Sequence, residues 1–280
     1  MKEKINQAVV DMASKINRNK RHIYIENESG IKLQGVSSVS SIVPKDWLAA
    51  WGAKEAVKAL GYSDYKGDIK TAEEILAKIK LIKSPEEWIA YLKEVKGASS
   101  RKSKQALVDG KAGHVWLEEY IKAKINGTTL LLIPEGNLER PIKQFLEWEE
   151  FEVDYWIEAE ALVYNKEKSY AGQLDSIYMS KTKQLCLGDF KFASHLGEDY
   201  YLQTAGYAAC FELYGIKFDK RVILRLPKTV EREEWNEKEF KYEMKPNNIE
   251  ALVVPTNYER DRNAFYAALV VKSWINMATK

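Results

Sequence analysis

Along the second half of the chain, apolar and polar residues alternate with period two in several short runs, whereas the first third shows the three- and four-residue spacing of helices. Strands are predicted at about 170–179, 183–191 and 221–226, and one holding Ile157 to Leu162 comes before them. A hairpin is predicted from 22–26 and 31–34, split by Asn27-Glu28-Ser29-Gly30. Helices are expected at about 4–18, 46–60, 71–82, 85–95, 139–152 and 259–277. Two more surround His114 and Gln203. Gly67 with Thr71, and Ser84 with Pro85, sit where helix caps belong. The polar link 180–183 is short, so strands 170–179 and 183–191 should pair antiparallel. The helix holding Gln203 is long enough to return the next strand parallel to its predecessor. A last strand is expected near 240–244. The expectation is therefore an α/β fold, a central mixed β-sheet flanked by helices with N-terminal helical decoration.

That pattern gives meaning to the charged residues. Leu185, Leu187, Asp189 and Lys191 fall on one face of a strand, so an apolar face ends in an acid and an amine, with the carbonyl of Phe190 between them as a further oxygen donor. The preceding strand carries Asp175 behind Ala171 and Gly172, whose small size permits close approach. Two carboxylates brought together repel unless a cation neutralises them, which makes Mg²⁺ or Mn²⁺ the economical partner. Alone, an Asp-x-Lys pair is most simply a surface ion pair. His114 and Glu118, four apart on a helical stretch, lie one turn apart on one face, as do Gln203 and Tyr207.

Taken in order, His114 with Glu118, Gly172-Gln173-Leu174-Asp175, Asp189-Phe190-Lys191, and Gln203 with Tyr207 resemble the PD-(D/E)xK nuclease superfamily in its RecB-like and phage-exonuclease-like branch, over about residues 31–270. The glycines before His114, Gly110 and Gly113, depart from the usual spacing. The resemblance implies a restriction-endonuclease-like core and Mg²⁺- or Mn²⁺-dependent hydrolysis of DNA phosphodiesters with one or two ions. It further implies an exonuclease of phage or mobile-element recombination, replication or repair. Asp175, Asp189, His114 and the Phe190 carbonyl would be ligands. Lys191 would act on the attacking water, Glu118 would orient His114 or a water, and Gln203 and Tyr207 would brace the lysine and the phosphate. Glu160 resembles a further acid of the family, and the serine-rich segment with Ser37 and Ser40 resembles its substrate side. A catalytically silent nucleic-acid-binding or scaffolding protein on the same fold is the alternative, and no residue excludes RNA as substrate.

Composition narrows the choice only in part. With 280 residues, 45% of them hydrophobic, the chain suffices for a single domain, 1–280, with a helical insertion at about 45–100, a catalytic core at about 103–226 and a C-terminal strand and helix at about 238–277. The 43 basic and 41 acidic residues nearly cancel, so local runs matter more than net charge. Asn17-Arg18-Asn19-Lys20-Arg21-His22 reads as a solvated loop. Arg101, Lys102 and Lys104, leading into the His114 helix, are candidate DNA contacts. Two cysteines, Cys186 and Cys210, make a disulfide framework unexpected and are too few for the four-cysteine iron–sulfur cluster of some relatives. With no apolar run of membrane-spanning length and no signal-peptide core at the start, the expected setting is the cytoplasm of a bacterial or phage-infected cell. The expected partners are DNA and a recombination or single-strand-binding protein. No P-loop is present, so unwinding would fall to a partner. Trp47, Trp51, Trp88, Trp116 and Trp274 are expected in the core or lining a cleft.

Overall fold

The computed structural model describes all residues except 20–22, 62–68, 130, 240, 255–256 and 279–280. The cap expected at Gly67 and part of the basic run 17–22 lie outside the described residues. The chain divides into two compact units, one of residues 1–43, 112–228 and 249–280, the other of residues 44–111 and 229–248. The insertion placed at about 45–100 thus belongs to the second unit, which also takes in 229–248.

The first unit opens with helix α1 (Lys2–Ser14) and strands β1 (Ile16–Arg18), β2 (Tyr24–Glu26) and β3 (Lys32–Gly35), followed by the short helix α2 (Val36–Ser40). The helix expected to reach Arg18 stops at Ser14, because Ile16, Asn17 and Arg18 pair antiparallel with β2. Strands β4 (Val153–Asn165), β5 (Tyr170–Ser180) and β6 (Leu185–Lys191) follow helix α7 (Glu139–Glu152). Helix α8 (Asp199–Glu212) then crosses to β7 (Lys220–Arg225), and β10 (Glu250–Val253) and α9 (Tyr258–Ala278) complete the unit. Eight strands form one mixed sheet in the order β1-β2-β3-β5-β6-β7-β10, with β4 paired to β5. As the crossover length required, β7 is parallel to β6. β10 was not expected; its four residues are too few to show a period.

β5 holds the key to the sheet. One of its edges is covered along its length by β4. The other is shared: β3 takes Tyr170 and Ala171, and β6 takes Ser176 to Met179, which leaves residues 172–175 without a strand partner there. Apolar side chains fill the unit in two clusters. One gathers Ile5, Met12, Leu174, Ile177, Leu187 and Phe265, the other Leu117, Ile121, Phe145, Trp156, Phe190 and Leu224. Each such side chain contributes on the order of 1.5–3 kcal/mol on burial.

The second unit contains helices α3 (Trp47–Lys58), α4 (Ile69–Lys80) and α5 (Pro85–Lys96), the start of α6 (Ala98–Asn126), and a separate hairpin of β8 (Glu231–Asn236) and β9 (Lys241–Pro246). α5 starts on a capping box: Ser84 Oγ accepts from the Glu87 amide at 3.2 Å, and Glu87 Oε2 accepts from the Ser84 amide at 3.3 Å. The strand expected near 240–244 pairs only with β8 and does not extend the main sheet. Trp47 and Trp88 are exposed and so lie outside the core, Trp274 on α9 is exposed where core packing was expected, and Trp116 is buried. Among the described residues no helix is long and apolar enough to cross a membrane.

Candidate metal centre

α6 begins at Ala98 and runs unbroken through Gly110 and Gly113. At Gly113 the missing side chain is required. A Cβ there would collide with the ring of Phe192, which lies just past β6 and also meets the His114 ring edge-on, with centroids 5.7 Å apart. This close packing fixes the helix against the end of β6 and sets the place of His114.

Three donors converge from α6, β4 and β5. His114 Nδ1 lies 3.7 Å from Asp175 Oδ1 and 3.8 Å from Glu160 Oε1. One ligand atom from each of the three residues falls within 4.8 Å of the others, a spacing a single cation can span. Asp175 is fixed from its other side: Oδ2 accepts the Phe190 amide at 2.6 Å, in the stretch where β5 and β6 no longer pair. In a strand, the amide and carbonyl of one residue point to the same edge, so the Phe190 carbonyl faces that gap too.

Beside this cluster lies the second acid. Continuing the register Ser176↔Gly188 by one step sets Asp189 opposite Asp175. The Asp189 side chain is completely buried, with Lys191 Nζ 2.7 Å from Oδ2, and its Oδ1 accepts no hydrogen bond. Burial drives the Asp189 carboxyl up to about 6; Lys191 pulls it down and Asp175 adds to the rise. Asp175 is raised as well, again chiefly by burial. Burial works against the charged forms of Lys191 and His114, yet both are raised. For Lys191 the Asp189 and Asp175 carboxylates outweigh burial, and for His114 the Asp175 and Glu160 carboxylates do so. Buried carboxylates held this close call for positive charge.

α8 supplies the remaining groups. Gln203 Nε2 donates to the Tyr207 hydroxyl at 2.9 Å. Burial and the two aspartates raise the pKa of Tyr207. Gly172 makes room for this contact, since a Cβ there would come 2.6 Å from Tyr207 Cε1 and 2.9 Å from Val36 Cγ2. Sequence reasoning missed Tyr200, whose ring lies under the Lys191 ammonium at 4.8 Å. Its signal was present: 200, 203 and 207 share one face of α8.

Other candidates lie elsewhere. Glu118 pairs with Lys122 at 2.5 Å and is not one of the three converging residues. Ser40 is buried and donates to the Ser37 carbonyl. In the second unit, Lys102 pairs with Glu55 at 2.9 Å and Arg101 donates to the Glu94 carbonyl at 2.8 Å, while Lys104 is exposed. Cys186 and Cys210 are buried free thiols. No protein-family model and no curated protein matches the chain.

Proposed function

We propose that this protein hydrolyses DNA phosphodiesters at a divalent-cation centre held by His114, Glu160, Asp175 and Asp189, with Mg²⁺ or Mn²⁺ as the ion. The observation that carries the reading is the meeting of His114, Glu160 and Asp175 within 4.8 Å, beside a buried Asp189–Lys191 pair. Carboxylate oxygens with one imidazole suit a hard or borderline cation, and Asp189 Oδ1, which accepts no hydrogen bond, has capacity for one. When bound, such an ion lowers the pKa of water and withdraws charge from a phosphate oxygen.

The chain's own groups do the rest. Lys191, held charged between Asp189 and the Tyr200 ring, polarises the attacking water and offsets negative charge on the scissile phosphate; a lysine with its pKa raised is poorly suited to removing a proton. Asp189 orients that ammonium. Gln203 and Tyr207 brace the wall behind it. DNA as the substrate, and exonuclease action in recombination or repair, rest on the order of motifs along the sequence.

The test is digestion of linear, nicked and circular DNA with end-labelled strands, in Mg²⁺ or Mn²⁺. Linear DNA should be degraded, with Asp175→Asn and Lys191→Gln each slowing turnover by about 10²–10⁴-fold. Full activity in either variant would overturn the assignment. DNA binding without cleavage in either metal would mark a scaffold.

A further inference from the structure

Among the described residues three non-glycine positions have left-handed backbone: Ser169, Lys183 and Glu160. The first two stand in the turns flanking β5, where that conformation is ordinary. Glu160, at φ +52°, stands inside the long strand β4, and the pairing with β5 runs through Ala159↔Ser176 and Ala161↔Leu174 with no pair at 160. A glutamate resists this backbone, so it persists only where its surroundings impose it. What the twist accomplishes is plain from its neighbours, because it accompanies a carboxylate 3.8 Å from His114 Nδ1 and grouped with Asp175.

One side chain grips the twisted residue. Gln173 Nε2 donates to the Glu160 carbonyl at 3.0 Å. A carbonyl can only accept, so the amide nitrogen must face it, and this leaves Gln173 Oε1 buried without a hydrogen-bond partner. Buried amides normally satisfy both ends. This one leaves its oxygen unpaired while its nitrogen stays on the twisted carbonyl.

We propose that Gln173 is a positioning residue: by binding the Glu160 carbonyl it holds residue 160 in the left-handed conformation that aims its carboxylate at His114 and Asp175, and so completes a cation site that would otherwise lack one acid. The inference rests on the metal-centre reading above and adds to it the device that sets the third ligand.

The experiment compares Mn²⁺ affinity, by titration calorimetry on the full chain, with thermal unfolding of the metal-free protein. Gln173→Met keeps the bulk and loses the donor; it should weaken Mn²⁺ binding by about 10–100-fold. In a Glu160→Gln background the same change should have little further effect, since the carboxylate it positions is gone. Unchanged Mn²⁺ affinity in Gln173→Met, or a full additional loss in the double variant, overturns the positioning role alone. A wild-type chain that binds no Mn²⁺ overturns both this role and the metal centre. Thermal unfolding supplies a metal-independent arm. Glycine adopts the left-handed region freely, so Gln173→Met should lower the unfolding temperature less in a Glu160→Gly background than in wild type. An equal drop in both backgrounds overturns the proposal, and Gln173→Asn, too short to reach the carbonyl, repeats the comparison should the methionine variant fold poorly.

Discussion

The Lys191 ammonium and the Asp189 carboxylate, two residues apart on one strand, meet at 2.7 Å with the acid wholly removed from solvent. Truncating the lysine strands a buried charge by removing the ammonium that pairs with it. Lys191→Ala is therefore expected to destabilise the metal-free protein by about 3–5 kcal/mol. Asp189→Asn in the same background removes the stranded charge and should recover part of that loss. Urea unfolding of the single and double variants checks both expectations; a Lys191→Ala protein as stable as wild type would show that the pair does not hold the strand end.

Gly113 and Phe192 touch so closely that no side chain fits between them. Gly113→Ala should cost about 1–3 kcal/mol through overpacking, although alanine is intrinsically the better helix former. The displaced helix carries His114 with it, so Mn²⁺ affinity should fall together with stability. Gly110, in the same helix with open space around it, is the control. Gly110→Ala should be neutral or stabilising by up to about 1 kcal/mol. Paired unfolding curves decide the matter.

The thiols predict an alkaline response. Burial pushes Cys186 up to about 11 and Cys210 up to about 12 from an ordinary value of 9. Because the folded-state values are raised, their contribution is fully present below pH 9 and is lost as pH climbs toward the folded values. Between pH 8.5 and 9.5 each thiol should lower stability by up to about 1 kcal/mol per pH unit, and the tyrosines raised by burial add to the loss as pH approaches their ordinary value of about 10. Urea midpoints at pH 8.5 and 9.5 measure the slope, and Cys186→Ala with Cys210→Ala should reduce it.

A second buried pair ties α9 to the sheet. Arg221 Nη2 lies 2.7 Å from Asp261 Oδ2, both side chains nearly inaccessible, and Arg221 also donates to the Tyr201 carbonyl. Asp261→Ala should cost about 3–5 kcal/mol, whereas replacing both partners with apolar residues, Arg221→Met with Asp261→Leu, should cost less. A double variant weaker than the single would refute this ordering.

What the sequence disclosed follows from where local preference and tertiary demand agree. Leu185 to Lys191 could be read as a strand because alternation, a polar link before it and burial all favoured the same state, and α7 matched its expected span because its apolar spacing is helical from end to end. Arg18 was misjudged: residues 16–18 continue a helical pattern, and only pairing with a distant β2 withdraws them. The run of α6 through Gly110 and Gly113 was not legible, since glycine lowers helix propensity by about 1 kcal/mol and the benefit at 113 lies in a contact with Phe192 that no local window contains. Of the hairpin, β9 was expected near 240–244, whereas β8, short and charged, gave little signal. At the candidate site, residue types and order were legible for His114, Asp175, Asp189, Lys191, Gln203 and Tyr207. The backbone twist at Glu160, the grip of Gln173 and the stacking of Tyr200 were not, because each depends on which strands and helices lie side by side.

The interruption along one side of β5, from residue 172 to 175, has a mechanical meaning. Ladders anchor the strand immediately before and after it, so the acid at its end cannot drift independently of the sheet, and thermal motion there should resemble that of the interior even though one edge of the backbone meets no neighbouring strand. A reactive group placed in such a gap has the openness of a loop and the rigidity of a framework, and surface segments around it are free to lengthen or shorten without moving it.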